Sequence, residues 1–356
     1  MIIPKISVAE FSTDASGQQK LIECLRRWSL FGVVAIGNTE SWPVAQLETV
    51  LQAVGGTVDV EIELAGQSAE TASAWLNAGA TKILGTAAEF EILDSIPDHC
   101  RIQVGSPDAI SVATGAQVEL AQPTADQLAR LEHLRVDVLV AVQHLESQPN
   151  LIADFFQQIL FSDRADGLWP TLIVDPLGLA LGLVYSNYES LLDAITHRRG
   201  TYWSRSRGEL WIKGATSGAT QNLLGLRIDC DRDCLRFQVT QDPPGFCHHQ
   251  THSCFGAERT IVTVIERLRQ RVQSAEEQSF TRKLANDPAM LRIKLLEEAG
   301  ELADATTSEQ IAFEAADVLY FSLVKMLSAG VRLETIHQEL ARRMTRIVRR
   351  KNKLEP

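Results

Sequence analysis

Apolar residues fall into three successive patterns along the chain. Over the first 150 or so residues, short β-rich runs (FGVVAIG, VDVEIEL, TKILGTA, RIQVG and VDVLVAV) alternate with stretches whose apolar residues return every three or four positions (PVAQLETVLQAV, SAETASAWLNAG and TADQLARLEHL). The runs predict five buried strands, the stretches predict helices, and their alternation predicts a parallel α/β layer. From DGLWPTLIVD onward the pattern is strand-rich, with segments set off by glycines and ending near Gly256. Beyond Ala257 nearly every segment is helix-forming. The periodic leucines and alanines of MLRIKLLEEAGELADA and IAFEAADVLYFSLVKMLSAG predict an all-α bundle. These changes divide the chain into residues 1–165, 166–257 and 258–356, with QSAEEQSFTRKLANDP as a connection and no short-period repeat.

Composition narrows the partners. With 356 residues, 45% of them hydrophobic, the chain can bury a substantial core. A net charge of −11 disfavours a general nucleic-acid or membrane binder, so an anionic substrate needs a local basic cluster. There is no charged and apolar leader and no apolar run near the roughly 20 residues of a membrane helix, which places the expected site of action in the cytoplasm. Six cysteines in such a chain read as free thiols or metal ligands rather than disulfides. Cys24 and Cys100 stand alone, as core residues do, whereas Cys230, Cys234, Cys247 and Cys254 fall close together.

In DCDRDC, residues 229–234, three aspartates and two cysteines share six positions. Read as a strand, LRIDCDRDCLRF puts Asp229, Asp231 and Asp233 on one face and Cys230 and Cys234 opposite. Three adjacent carboxylates repel unless a cation compensates them, and hard oxygen ligands favour Mg²⁺, whereas the thiols suit a softer ion. Downstream, in CHHQTHSC, Cys247 and Cys254 could join Cys230 in a zinc site with an open fourth position, where zinc lowers the pKa of a bound water to about 7. His248, His249 or His252 could relay the proton. The alternative is a closed zinc knuckle with histidine as the fourth ligand. Just upstream, YWSRSRGELWIKGATSG gathers Arg205, Arg207 and Lys213 among hydroxyls that include Thr216 and Ser217, a composition suited to phosphate recognition; an ordinary solvated loop is its bland reading.

Taken in order, DGLWPTLIVD, YWSRSR, WIKGATSG, DCDRD and CHHQTHSCF resemble phosphoribosyl-AMP cyclohydrolase, an enzyme of histidine biosynthesis, over about Asp166 to Gly256. The resemblance implies Mg²⁺ at Asp229, Asp231 and Asp233 and zinc at Cys230, Cys247 and Cys254. It also implies a homodimer in which Cys230 serves a zinc shared between subunits. Zinc hydroxide would attack C6 of the adenine ring, His248 would assist proton transfer, and Arg205, Arg207, Lys213, Thr216 and Ser217 would hold the substrate. Ala215 stands where the family usually has glutamate, Arg232 where glycine is common, and His249 and His252 replace small or basic residues between the zinc thiols.

In LLEEAGELAD, Glu298 and Glu301 are three apart, and Glu314 and Asp317 repeat that spacing in FEAADVLY. On helices each pair shares a face, and four carboxylates converging between two helices argue for Mg²⁺, with Glu297 a candidate fifth ligand. The bland reading is acidic residues facing solvent. SFTRKL, KLLEEAGEL and EAADVLYF are similar to phosphoribosyl-ATP pyrophosphohydrolase, an all-α enzyme, over about Ser279 to Lys351. That similarity implies Mg²⁺ at Glu298, Glu301, Glu314 and Asp317, with Glu298 and Glu301 catalytic and Arg282 and Lys283 on phosphates. Phe321 stands where histidine is frequent. The late run RRMTRIVRRK could attract an anion, although cations near a helix C-terminus are common.

At the N-terminus, MIIPKIS and AGQSAETASAWLNAGATKILGTAAEF look like pieces of the (β/α)₈ barrel isomerase of the same pathway. Ser7 and Gln143 stand where that family would have catalytic aspartates. Roughly five βα units cannot close an eight-stranded barrel, so the expectation is a degenerate, non-catalytic partial barrel acting as a scaffold or dimer-forming element. The LGTAAE turn, placed where phosphate binds, keeps a substrate-binding or allosteric role as the alternative. The expected whole is multidomain: a partial α/β barrel, a β-rich α+β cyclohydrolase domain and an all-α pyrophosphohydrolase domain. It would act on phosphoribosyl nucleotides, and the order of domains resembles eukaryotic-type histidine enzymes. A rival reading is a broader nucleotide pyrophosphohydrolase joined to an inactive zinc domain, resting on Ala215.

Overall fold

A computed structural model describes residues 1–91, 96–105, 117–256, 260–273 and 279–344. The boundary at 257/258, part of the connection at 274–278, and positions 345–351 of the late basic run lie outside the described residues. The chain divides into two units, one built on Met1–Cys254 and one on Phe255–His337. No described helix is long and apolar enough to cross a membrane.

The first unit opens with seven parallel strands: β1 (Ile2–Ser7), β2 (Val33–Gly37), β3 (Asp59–Glu63), β4 (Lys82–Gly85), β5 (Arg101–Gly105), β6 (Gln117–Leu120) and β7 (Asp137–Ala141). They are joined through α1 (Ala15–Trp28), α2 (Val44–Val54), α3 (Ala69–Ala78), a short α4 (Ala87–Glu91) and α5 (Ala125–His133), and followed by α6 (Val142–Ser147) and α7 (Leu151–Ile159). Each strand pairs with the next, and β1 also pairs with β7, with Ile3 opposite Leu139, so the sheet closes. This corrects the expectation of an open partial barrel. All five expected strands are present, and β1 and β6 complete the ring. Alternation sends Ile6, Ile36, Ile62 and Val140 outward to the helices, while Ile3, Ala35, Leu84, Ile102 and Leu139 form a separate cluster inside. The interior also holds polar groups. Gln117 donates to Glu61 at 2.7 Å, and burial pushes the Glu61 carboxyl above its ordinary pKa.

The unit continues into β8 (Trp169–Val174), β9 (Ala180–Ser186), α8 (Tyr188–His197), β10 (Thr201–Ser204), β11 (Glu209–Ile212), β12 (Gln221–Ile228) and β13 (Leu235–Gln241). Strands β10 and β11 form a hairpin, and the larger sheet runs β12-β13-β8-β9, parallel only between β13 and β8. One continuous core joins it to the barrel helices, with Phe155 and Phe156 in the same cluster as Trp169, Leu226 and Phe237. The segment LRIDCDRDCLRF is not a single strand. Ile228 pairs with Leu235, so residues 229–234 form the connection of an antiparallel hairpin, and Arg232 takes a left-handed φ of 68°. The position at which the resemblance calls for glycine is therefore one where the backbone favours it.

The second unit is helical, as expected: α9 (Ile261–Gln273), α10 (Phe280–Asn286), α11 (Pro288–Asp304) and α12 (Ser308–Ser328), after which α13 (Leu333–Met344) begins. Asp287 caps α11 through the amides of Ala289 and Met290, and a Thr307–Gln310 capping box starts α12. Leu284, Leu291, Phe321 and Val324 make one core cluster. Phe321 is thus a packing residue, which accommodates its departure from histidine.

Candidate functional site

Two groups of three ligand-bearing side chains come within 4.8 Å of one another among the described residues: Asp229, Asp231 and Asp233, and Glu298, Glu301 and Glu314. In the first, the hairpin turn rather than strand alternation gathers the carboxylates. Asp229 Oδ1 accepts the amides of Asp233 and Cys234 at 3.1 and 3.2 Å, which fixes the turn. A shared hydrogen bond with Asp229, with the charges of Asp231 and Asp229 adding to it, pushes the Asp233 carboxyl up. Crowded anions of this kind fit a divalent cation with oxygen preference.

In the second group, the i, i+3 spacing holds on α11 and α12. Glu298 is raised by burial and then by Asp317 and Glu301; Glu314 is raised by burial and then by Glu301, Glu298 and Asp317. Asp317 therefore belongs to the same field. Glu314 Oε2 is buried without a hydrogen-bond partner, an orphan that a cation would satisfy. Glu297 instead pairs with Lys294 at 2.8 Å on its own helix. Arg282 and Lys283 lie on α10, whose Thr281 hydroxyl is 2.9 Å from that of Tyr320 on α12. Because like charges are held together here, Glu301→Gln is expected to raise the metal-free melting temperature of this unit by roughly 2–5 °C and to blunt the rise produced by Mg²⁺. Calorimetry with and without Mg²⁺ checks both.

A cavity of about 940 Å³ opens in the middle sheet domain, walled by Arg207, Lys213, Ala215, Thr216, Ser217, Trp211, Phe246, Cys247, His248 and Cys254. Backbone N–H groups, first that of His249, and the Thr251 side chain hold the Cys247 thiol below its ordinary pKa, whereas burial pushes Cys254 up. Cys247 and Cys254 line the same cavity, and the charge of Cys247 adds to the rise of Cys254. A readily ionised thiol beside a second one fits a soft metal ion. Cys230 lies on the hairpin, exposed, and is outside any described cluster of three ligands in the single chain. His248 Nδ1 is 3.9 Å from Cys247 Sγ, and its ring lies 3.9 Å from that of His249. His252 instead faces Asp175 at 3.5 Å.

Lys213 is buried, with its ammonium 5.4 Å from the Phe246 ring; burial lowers its pKa and the thiolates of Cys254 and Cys247 oppose that. Arg207 pairs with Glu209 at 3.0 Å. Arg205 stands in a neighbouring cavity of about 480 Å³, stacked 3.9 Å over Tyr185. The sequence reading found the cations and missed the aromatic floor of Tyr185, Trp211 and Phe246, for which the interleaving of Trp203 and Trp211 with basic residues was the available signal.

The barrel's C-terminal mouth looks different. Lys5 reaches Glu63 at 3.3 Å and Glu119 at 2.8 Å, so the charges there neutralise one another. Ser7 donates to Asn38 at 2.9 Å, and Gln143 falls on α6, after β7 has ended. In the LGTAAE turn, Glu89 accepts from Thr86 N at 2.8 Å and Gly66 N at 2.9 Å. Its own carboxylate thus takes the amides that a phosphate would use.

Comparison with known proteins follows the same division. A family model described as phosphoribosyl-AMP cyclohydrolase matches residues 182–256, and one described as phosphoribosyl-ATP pyrophosphohydrolase matches 262–344. The histidine biosynthesis trifunctional protein of Saccharomyces bayanus is 38% identical over 284 residues, covering 80% of this chain and 34% of its own length. That alignment is too long to lie outside the barrel. The histidine biosynthesis bifunctional protein his7 of Schizosaccharomyces pombe is 45% identical over 200 residues, 56% of this chain and 48% of its own. The chain thus spans less than half of either fungal relative. The histidine biosynthesis bifunctional protein HisIE of Parasynechococcus marenigrum is 36% identical over 214 residues, which is 53% of this chain and 94% of that protein. With 36% of the aligned residues identical across 94% of that relative, the chain belongs to the histidine biosynthesis bifunctional protein HisIE family.

Proposed function

We propose that the chain performs two successive hydrolyses of histidine biosynthesis: phosphoribosyl-ATP to phosphoribosyl-AMP and pyrophosphate in the helical unit, then opening of the adenine ring of phosphoribosyl-AMP in the middle sheet domain. The observation that carries this reading is the presence of two separate carboxylate groups, one on paired helices and one on a hairpin, together with a thiol-lined cavity that belongs to neither. When bound, Mg²⁺ supplies charge neutralisation at phosphate oxygens and zinc supplies Lewis acidity for activating water.

In the helical unit, Glu298, Glu301, Glu314 and Asp317 would hold Mg²⁺, and Arg282 and Lys283 orient the phosphates. Water adds to phosphorus, the phosphoanhydride bond breaks and pyrophosphate leaves. In the middle domain, Lys213, Arg207, Thr216 and Ser217 bind the phosphorylated end of the ligand, while Arg205 and Tyr185 extend that surface. Cys247 and Cys254 would hold zinc, with Cys230 contributed by a second copy, and Asp229, Asp231 and Asp233 would hold Mg²⁺. Water adds at C6, His248 takes its proton, and the N1–C6 bond breaks with a proton delivered to N1. The barrel serves as a non-catalytic scaffold. A second copy as partner is supported by apolar side chains left on α11 and α12, with Ile293, Leu296, Phe313 and Leu319 all more than half exposed.

Chromatography of the products formed from phosphoribosyl-ATP, Mg²⁺ and Zn²⁺ tests the reading. Pyrophosphate with the ring-opened formimino carboxamide ribotide is the expected result. Pyrophosphate with accumulating phosphoribosyl-AMP would refute the second activity and leave a pyrophosphohydrolase beside a silent zinc domain.

A further inference from the structure

The hairpin that carries Asp229, Asp231 and Asp233 is held from outside its own strands. Arg232, in the middle of it, adopts φ 68°, a conformation disfavoured for any residue with a Cβ. Its carbonyl accepts the amide of Phe161 at 2.8 Å, just beyond the end of α7. Its guanidinium crosses to the barrel. Nη1 donates to Nδ1 of His133 at 2.7 Å and Nη2 to the carbonyl of Glu132 at 3.1 Å, both in the last turn of α5. A Glu132 carboxylate oxygen lies 3.9 Å away. The negative end of the helix dipole makes that terminus a favourable seat for a cation. Two further arginines grip the barrel: Arg227 donates to the Leu30 carbonyl at 3.3 Å, and Arg198 stacks 5.5 Å from Trp28. Of the three, Arg232 alone sits between the carboxylates.

We propose that the barrel acts through Arg232 to position the carboxylate hairpin. Seating the guanidinium on the end of α5 holds the left-handed turn, and that turn is what brings the three aspartates within 4.8 Å of one another. The proposal rests on reading this hairpin as a divalent-cation site. Gathering three carboxylates is unfavourable before the cation arrives, and the contact with α5 offsets part of that cost in advance, so affinity for the cation becomes a readout of the contact. Arg232 is a positioning residue and does not touch substrate.

The test is Mn²⁺ titration by calorimetry on the zinc-loaded full chain, in a Glu298→Ala/Glu301→Ala background that leaves the hairpin as the carboxylate site under study. Arg232→Gly relieves the backbone and removes the tether; His133→Ala removes one acceptor and leaves the hairpin sequence intact. Each is expected to weaken Mn²⁺ binding about tenfold, the scale of one charge-assisted hydrogen bond, with the double variant no weaker than Arg232→Gly alone and Arg232→Lys in between. With Glu298 and Glu301 restored, half-saturation of ring opening by Mg²⁺ should rise in parallel while pyrophosphate release is unchanged. Unaltered Mn²⁺ affinity in Arg232→Gly would overturn the proposal, as would a loss confined to Arg232→Gly and absent from His133→Ala. Asp231→Asn separates the two levels. If it leaves Mn²⁺ binding unchanged, the cation reading of the hairpin itself fails; if it abolishes binding while the tether variants keep it, only the positioning role fails.

Discussion

Cys247→Ser is expected to abolish ring opening of phosphoribosyl-AMP while pyrophosphate release from phosphoribosyl-ATP continues at the wild-type rate. The thiol lies on the cavity wall beside Cys254, and neighbouring N–H groups already favour its ionised form. A serine hydroxyl has nearly the same shape and no comparable tendency to ionise, so the change removes a ligand without opening a void. Alterations one layer further from a metal commonly cost 10–100-fold, so replacing a ligand should exceed about 100-fold. Separate assays of the two products, with zinc content measured on the same preparation, check this. Loss of both activities would mean that the two units depend on one another for folding, or that the two chemistries are wrongly divided.

Glu301→Ala is expected to do the reverse: pyrophosphate release should fall by roughly 10³-fold or more, and ring opening of added phosphoribosyl-AMP should persist. Glu301 lies in the carboxylate group with Glu298 and Glu314, so its loss dismantles the arrangement that Mg²⁺ would bridge. The side chain is exposed, and its removal relieves repulsion, so inactivation should come without unfolding. A lower melting temperature accompanying the loss would assign Glu301 a structural role instead. Rates with phosphoribosyl-ATP as sole substrate should then show neither product, because the first step feeds the second.

The helical site was legible because i, i+3 carboxylates survive as neighbours whatever the packing around them. The barrel was less so. Strand β6 is only four residues, QVEL, with Gln117 and Glu119 between its apolar positions, and β1, IIPKIS, is interrupted by Pro4 and Lys5, so neither shows the apolar run by which a buried strand is recognised. Five strands were visible and two were not, and the missing pair was enough to make a closed ring look open. At the hairpin, residue types revealed the chemistry but misled on shape. The alternation of aspartate with other residues imitates a strand, and the left-handed turn at Arg232 carries no glycine to announce it. Of the aromatic floor under Lys213 and Arg205, the local sequence signals Trp211; Tyr185 and Phe246 reach it from β9 and from the segment after β13, contacts that no local pattern records.

Closure of the barrel has a consequence for how the chain is made. Strand β1 pairs with β2 on one edge and with β7 on the other, and Ile3 lies opposite Leu139. During synthesis at about 5–20 residues per second, the second edge of β1 waits roughly 7–27 s for its partner to emerge. Through that interval an apolar edge that reads Ile2, Ile3 and Ile6 is open to strand addition by any neighbouring nascent chain. Lys5 and Pro4, set in the middle of it, are residues that discourage such pairing, so they protect the growing polypeptide before Lys5 has any carboxylate to meet.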